Sequence, residues 1–206
     1  MSSPARKEPA YHHRGLRAAL VGGARALIEE GGLEALTLRA VARRIGVSTA
    51  APYHHFASRA EVIQALAEEN FAALDEASSA AVAAERGVGD RLSALARVYV
   101  RYAVEHPANF RLMFRPELSA PPEPRELETA PVFRVLADVL RSGGVEGAQL
   151  ETAALAVWSL VHGLATLLVD GPLRPLVEDP AGVEALVDAV AATVQLTPLA
   201  AALEDA

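Results

Sequence analysis

Between Thr37 and Arg59 the chain reads Thr-Leu-Arg-Ala-Val-Ala-Arg-Arg-Ile-Gly-Val-Ser-Thr-Ala-Ala-Pro-Tyr-His-His-Phe-Ala-Ser-Arg, and no other stretch limits the fold as much. Thr37 is a good N-cap residue, and Leu38, Val41, Ala42 and Ile45 then recur at helical spacing, which makes one apolar stripe on a short helix. Gly46 stops that helix, because glycine accepts the left-handed backbone that helix ends prefer. Val47 plugs the inside of the turn. Ser48 is placed to cap a second short helix through Tyr53 and His54, with Phe56 as an anchor. Helix, glycine turn and capped helix form the helix-turn-helix pattern, whose second helix enters the major groove of DNA.

The outward positions of the second helix suit that task. Thr49, Ala50, Tyr53 and His54 are small or hydrogen-bonding, with no acid among them, and Arg39, Arg43, Arg44 and Arg59 surround them. An ordinary helical hairpin with a solvated basic face gives the same pattern. The distribution of charge separates the two readings. The net charge is −7 over 206 residues, which looks wrong for a DNA binder. Residues 1–60, however, carry nine Arg or Lys against four Glu, and residues 61–206 carry ten against twenty-two Asp or Glu. Positive charge is therefore concentrated around the helix-turn-helix, as an electrostatic footprint for DNA requires.

The rest of the chain reads as helices. Residues 1–10 form a loose, polar arm with no apolar core of the kind a signal peptide has. A first helix is expected from Tyr11 to Glu30, with Gly22-Gly23 in its middle as a point of close packing. Ser58 and Glu61 make a capping box for a long helix to about Glu85. Asp90 is placed to cap a further helix that ends at His106-Pro107. Five prolines between Pro116 and Pro131 predict an extended loop. Thr152 to Val169 contains no Asp, Glu, Lys or Arg. It reaches membrane-spanning length, but it is alanine-rich, includes Thr152, Ser159, His162 and Thr166, and lacks a basic flank. A helix buried on both sides, by its own core and by a partner subunit, accounts for it better. A last helix carries Val183, Leu186, Val187, Val190 and Val194 on one face. No stretch alternates as a strand does.

Several segments carry a family likeness. Gly46-Val47-Ser48, Tyr53-His54-His55-Phe56 and Ser58-Arg59 closely resemble the DNA-binding domain of the TetR family of bacterial transcriptional regulators. Tyr11-His12-His13, Leu16-Arg17-Ala18-Ala19-Leu20 and Glu30-Gly31-Gly32 resemble that family's first helix and its end, so the likeness covers about residues 11–66. Two positions depart from it. Pro52 stands where many members have leucine and withdraws an N–H from the second helix, and Arg59 replaces a common lysine. Trp158-Ser159-Leu160-Val161-His162-Gly163 resembles the Trp-x-x-x-His-Gly signature of one type of C-terminal domain in the family, and His106-Pro107 followed by Phe110 to Phe114 resembles a second element of it.

The resemblance implies an all-α protein: a flexible arm (1–10), a three-helix DNA-binding domain (11–57) and a helical-bundle regulatory and dimerisation domain (58–206). It implies a cytoplasmic homodimeric regulator, a repressor released from a palindromic operator in double-stranded DNA by a partly apolar small molecule, with no membrane association. Thr49, Ala50, Tyr53 and His54 are expected in the major groove, with Ser48 and Arg39 beside them. Thr37, Tyr53, His55 and Arg59 are expected to meet phosphates. Tyr99, Tyr102, Phe110, Phe114, Trp158 and His162 are the candidate ligand contacts, and a packed core is the competing role for each.

Other chemistries lack a motif. There are no cysteines, hence no disulfide or thiolate metal site. His12-His13 and His54-His55 are adjacent pairs whose side chains diverge on a helix, with no acid at ligand spacing, so neither a metal nor another cofactor is expected. No dinucleotide fingerprint, phosphate loop or nucleophile elbow is present, so the chain is not expected to be an enzyme. The competing class is a helical ligand-binding or catalytic bundle whose helix-turn-helix no longer binds DNA. The large apolar second half favours that class and the division of charge opposes it. An architectural DNA-binding protein without a ligand is a third reading.

Overall fold

The structure is a computed structural model that describes residues 9–115 and 131–193. The arm before Pro9, most of the proline-rich loop, and Val194 on the last helix lie outside the described residues. Among those described there are helices and turns and no strand. The order is α1 (Pro9–Gly31), a 3-10 turn (Leu33–Ala35), α2 (Leu38–Arg44), a second 3-10 turn (Ala51–His54), α3 (Arg59–Ala84), α4 (Val88–Glu105), α5 (Pro107–Met113), α6 (Pro131–Ser142), α7 (Gly147–Val169), a third 3-10 turn (Arg174–Glu178) and α8 (Pro180–Ala192). The chain divides into two compact units, Met1–Glu69 and Asn70–Ala206. The division falls inside α3 rather than at its start.

The core of the first unit is built from Leu20, Val21, Ala24 and Ile28 of α1, Val41 and Ala42 of α2, Phe56, and Val62 and Leu66 of α3, all essentially closed to solvent. Gly23 allows close approach here: a Cβ at that position would lie 2.6 Å from Cγ2 of Ile45. Gly22 has nothing near it, so close packing applies to one member of the pair.

In the second unit the stripes of α4 and α7 meet in a shared core. Val100, Ala103, Ala165 and Leu168 are fully buried at its centre, and Val183 and Val187 of α8 close one side. A second cluster joins α6 to α7 through Phe133, Leu136, Leu140, Leu150 and Ala153. One expected cap is corrected. The N-cap of α4 is Gly87, without a side-chain bond, and Asp90 lies in the first turn, where its charge favours the positive end of the helix dipole.

Candidate nucleic-acid interface and ligand cavity

The turn of the helix-turn-helix is fixed by backbone geometry. Thr37 Oγ1 accepts a hydrogen bond from the Ala40 N–H at 3.0 Å and so caps α2. At the other end Gly46 has φ +74°, and the Val47 N–H donates back to Ala42 O at 3.0 Å. This six-to-one closure with a left-handed glycine is the Schellman arrangement.

The recognition element itself differs from the expectation. It is not an α-helix capped by Ser48 but a single 3-10 turn over Ala51–His54, whose N-cap is Ala50 with no side-chain bond. Its backbone bonds run from Ala51 to Ser48, Tyr53 to Ala50 and His55 to Pro52. Proline has no N–H to donate, so Pro52 cannot make the bond that would continue α-helical spacing, and the tighter turn results. The ring of Pro52 is buried. Around it Ser48, Thr49, Ala50, Tyr53 and His54 are all exposed, and Tyr53 is 54% open to solvent. His55 is half-buried and faces the solvent less than Tyr53 and His54 do.

The arginines of this unit divide into two groups. Arg44 forms two bonds of 2.6 Å to the Glu30 carboxylate, which holds that acid below the ordinary carboxylate range. Arg25 pairs with Glu69 at 3.1 Å, and Arg17 lies over the Phe56 ring at 5.1 Å. Arg39 and Arg43 are exposed and make no ion pair or hydrogen bond among the described residues. Arg59 is engaged in an unexpected way. Its Nε donates to Leu36 O at 2.9 Å and its Nη2 to Leu33 O at 2.6 Å, which ties the start of α3 to the loop before α2. At the same place the Ser58–Glu61 box closes, with Glu61 N donating to Ser58 Oγ at 3.3 Å and Ala57 N to Glu61 Oε2 at 2.8 Å.

The second unit holds a largely apolar cavity of about 60 Å³. Phe71, Leu74, Asp75 and Ser78 of α3, Leu92, Leu95, Ala96 and Tyr99 of α4, Val135 and Leu136 of α6, and Val157, Trp158 and Val161 of α7 line it. Of the six residues singled out in the sequence, Tyr99 and Trp158 line this space. Phe110, Phe114 and His162 form an aromatic cluster behind them, and Tyr102 packs on His106 with ring centroids 5.2 Å apart. Trp158 and His162 do share a face: their rings stack 4.7 Å apart. The Tyr99 hydroxyl lies 2.8 Å from His162 Nδ1. Burial pushes the Tyr99 phenol well above its ordinary value and the His162 imidazole below its own. Both shifts favour the uncharged pair, a protonated phenol beside a neutral imidazole. The indole nitrogen of Trp158 lies toward the Tyr99 hydroxyl without making a hydrogen bond to it.

Residues missed in the sequence form the α3 wall. Phe71, Leu74, Asp75 and Ser78 fall at helical spacing on one side of α3. Asp75 receives both Nε and Nη2 of Arg134.

A glycine-locked turn that exposes a short polar segment, flanked by free arginines and followed by an apolar helical bundle, defines a helix-turn-helix regulator. Two family descriptions match the chain: "Bacterial regulatory proteins, tetR family" over residues 20–66 and "Tetracyclin repressor-like, C-terminal domain" over residues 92–193. The chain belongs to the TetR family of bacterial transcriptional regulators. It is 27% identical over 165 residues to the uncharacterized HTH-type transcriptional regulator Rv0681 of Mycobacterium tuberculosis, covering 79% of this chain and 74% of that one. A protein of unknown function from Rhodococcus sp. RHA1 has the same fold at 30% identity and a TM-score of 0.70, with 90% of this chain and 98% of that one covered. The fold also matches a TetR variant from Acinetobacter baumannii AYE in complex with minocycline, at 20% identity and a TM-score of 0.60, over 85% of this chain and 94% of that one.

Proposed function

We propose that the chain is a cytoplasmic, homodimeric repressor that leaves a palindromic operator when a small molecule enters the cavity of its second unit. The observation that carries this reading is the set of exposed side chains of Ser48, Thr49, Ala50, Tyr53 and His54 beside two arginines, Arg39 and Arg43, that have no acid partner among the described residues. Thr49, Ala50, Tyr53 and His54 read base edges. Arg39 and Arg43 neutralise phosphates, and Thr37 and His55 contribute polar contacts at the margin. Arg59 acts chiefly by holding the loop before α2 in place, because its guanidinium already serves two carbonyls.

Dimerisation falls to α7 and α8. The outer face of α7 carries no charge between Thr152 and Val169, and Leu155, Leu160 and Leu167 are 39–43% exposed on it. By length and composition α7 resembles a membrane span, yet its other face packs into the core through Val157, Val161, Leu164 and Leu168. A partner subunit is the simplest cover for the outer leucines. In the Trp158-x-x-x-His162-Gly163 run Trp158 lines the cavity and His162 stacks behind it, in keeping with the C-terminal type that the run resembles.

α3 connects the two events in one continuous helix. Its first turn carries the Ser58 cap and Arg59, and Leu74, Asp75 and Ser78 further along it line the cavity. A ligand that displaces this wall changes the spacing of the two recognition segments in the dimer. It releases DNA to the extent that it prefers the displaced arrangement. The test is selection of the purified protein against a random-sequence duplex library at physiological salt. An enriched palindrome supports the reading, and a folded dimer that enriches nothing, even after any bound small molecule has been removed, contradicts it.

A further inference from the structure

The second unit also shows which kind of molecule its cavity accepts. Among the described residues one side chain that is charged at neutral pH lines the space, Asp75, and Arg134 holds both of its oxygens. The site therefore offers no uncompensated charge. Most of the remaining wall is apolar. Two polar groups in it are idle. The Ser78 hydroxyl, on a residue only 9% exposed, makes no hydrogen bond among the described residues, and neither does the buried indole N–H of Trp158. Both can donate to an oxygen acceptor. The cavity, at about 60 Å³, is also smaller than the roughly 150 Å³ that holds a benzene ring in an apolar protein interior. A ring entering it must widen it.

We propose that the cavity takes a compact, uncharged molecule with an apolar ring and one hydroxyl or carbonyl oxygen, and that Ser78 holds that oxygen. This rests on the reading of the cavity as the effector site. Burial of an anion or a cation would leave a charge unpaired, since Asp75 and Arg134 already satisfy each other. A fully apolar ligand would leave the serine hydroxyl unmatched. The side-chain link of the α3 wall to α6 beside the cavity is the Arg134–Asp75 pair, a half-exposed guanidinium on a mostly buried carboxylate.

The molecule carries its own reporter, because Trp158 is the single tryptophan of the chain and lines the cavity. Trp158 fluorescence of the full-length protein, without DNA, is titrated with four ligands that share one ring: benzyl alcohol, toluene, benzoate and benzylammonium. Benzyl alcohol is expected to bind roughly 2- to 10-fold more tightly than toluene, the span that one neutral hydrogen bond gives. The two ions are expected to bind about tenfold or more weakly than the alcohol. Ser78→Ala, a substitution compatible with a helix, should bring the alcohol and toluene to the same level, with toluene bound no more weakly than by the wild type. An ion binding as tightly as the alcohol, an alcohol-to-toluene ratio that survives Ser78→Ala, or no Trp158 response to either neutral ligand overturns the proposal. Release of labelled operator DNA is followed in parallel. Binding with the expected pattern but without release contradicts the effector role and supports the ligand class. Release without a Trp158 response overturns the ligand class for this cavity and leaves the effector role standing.

Discussion

The two units use most of their arginines differently. In the second unit Arg97 pairs with Asp188, Arg101 with Glu184, Arg111 with Asp170, Arg134 with Asp75 and Arg141 with Asp138, while Arg86 and Arg174 are exposed and make no ion pair among the described residues. All but the last of these pairs join segments far apart in the chain, and each cancels charge locally. In the first unit Arg44 and Arg25 are cancelled in the same way and Arg59 is bound to carbonyls, but Arg39 and Arg43, beside the recognition segment, have no acid partner among the described residues. The overall acidity of the chain therefore says little about its partner. What matters for DNA is where cations without an acid stand beside an exposed polar segment that can read bases.

The same contrast applies to apolar groups, and truncation tests it most strongly. Leu168, fully closed to solvent, should lose about 2–5 kcal/mol of stability as Leu168→Ala in denaturant unfolding. Tyr53→Ala, at a residue 54% exposed, should leave the unfolding midpoint in place and weaken DNA binding. A stability loss at Tyr53 like that at Leu168 would erase the distinction. Arg59 gives the next largest effect. Arg59→Lys keeps the charge but cannot hold two carbonyls with one planar fork, so about 1–3 kcal/mol of stability should be lost. The salt dependence of DNA binding should not change. A flatter salt dependence with unchanged stability would return Arg59 to the phosphate contacts.

His162 supplies a smaller effect with a definite sign. Burial lowers its pKa below the ordinary 6.5, so the unfolded chain takes up its proton first as pH falls. Its contribution is complete above about pH 6.5 and is lost as pH drops through the lower folded value. Unfolding midpoints measured from about pH 7.5 down to about 5 should fall more steeply for the wild type than for His162→Gln. Parallel curves would mean that His162 is not held neutral by the fold. The smallest change in total affinity is expected for Thr49→Ala, which should alter the selected base at one position of each half-site. An unchanged selected motif would remove Thr49 from the reading set.

Features set by neighbouring residues were legible in the sequence, and those set by distant ones were not. Thr37, Gly46 and the Ser58–Glu61 box announced caps and a turn because each acts within a few residues. The helical fold and the paired face of Trp158 and His162 followed from spacing alone. Pro52 was visible as a disturbance, but not the 3-10 turn it produces, since the outcome depends on burying its ring. The engagement of Arg59 with carbonyls 23 and 26 residues earlier has no local signature. The cavity draws on four helices, so no spacing within one of them marks its α3 wall. Phe110 and Phe114 seemed equal to Tyr99 as wall residues, and only packing separates them.

The most direct test of the division of charge is the salt dependence of duplex binding. The double variant Arg39→Ala/Arg43→Ala should reduce the slope of log affinity against log salt by about 2, roughly one for each phosphate that is no longer neutralised. The variant Arg101→Ala/Arg111→Ala, which removes as much positive charge from paired sites, should leave the slope unchanged. Equal slopes for the two variants would contradict the assignment of the DNA face to the open arginines of the first unit.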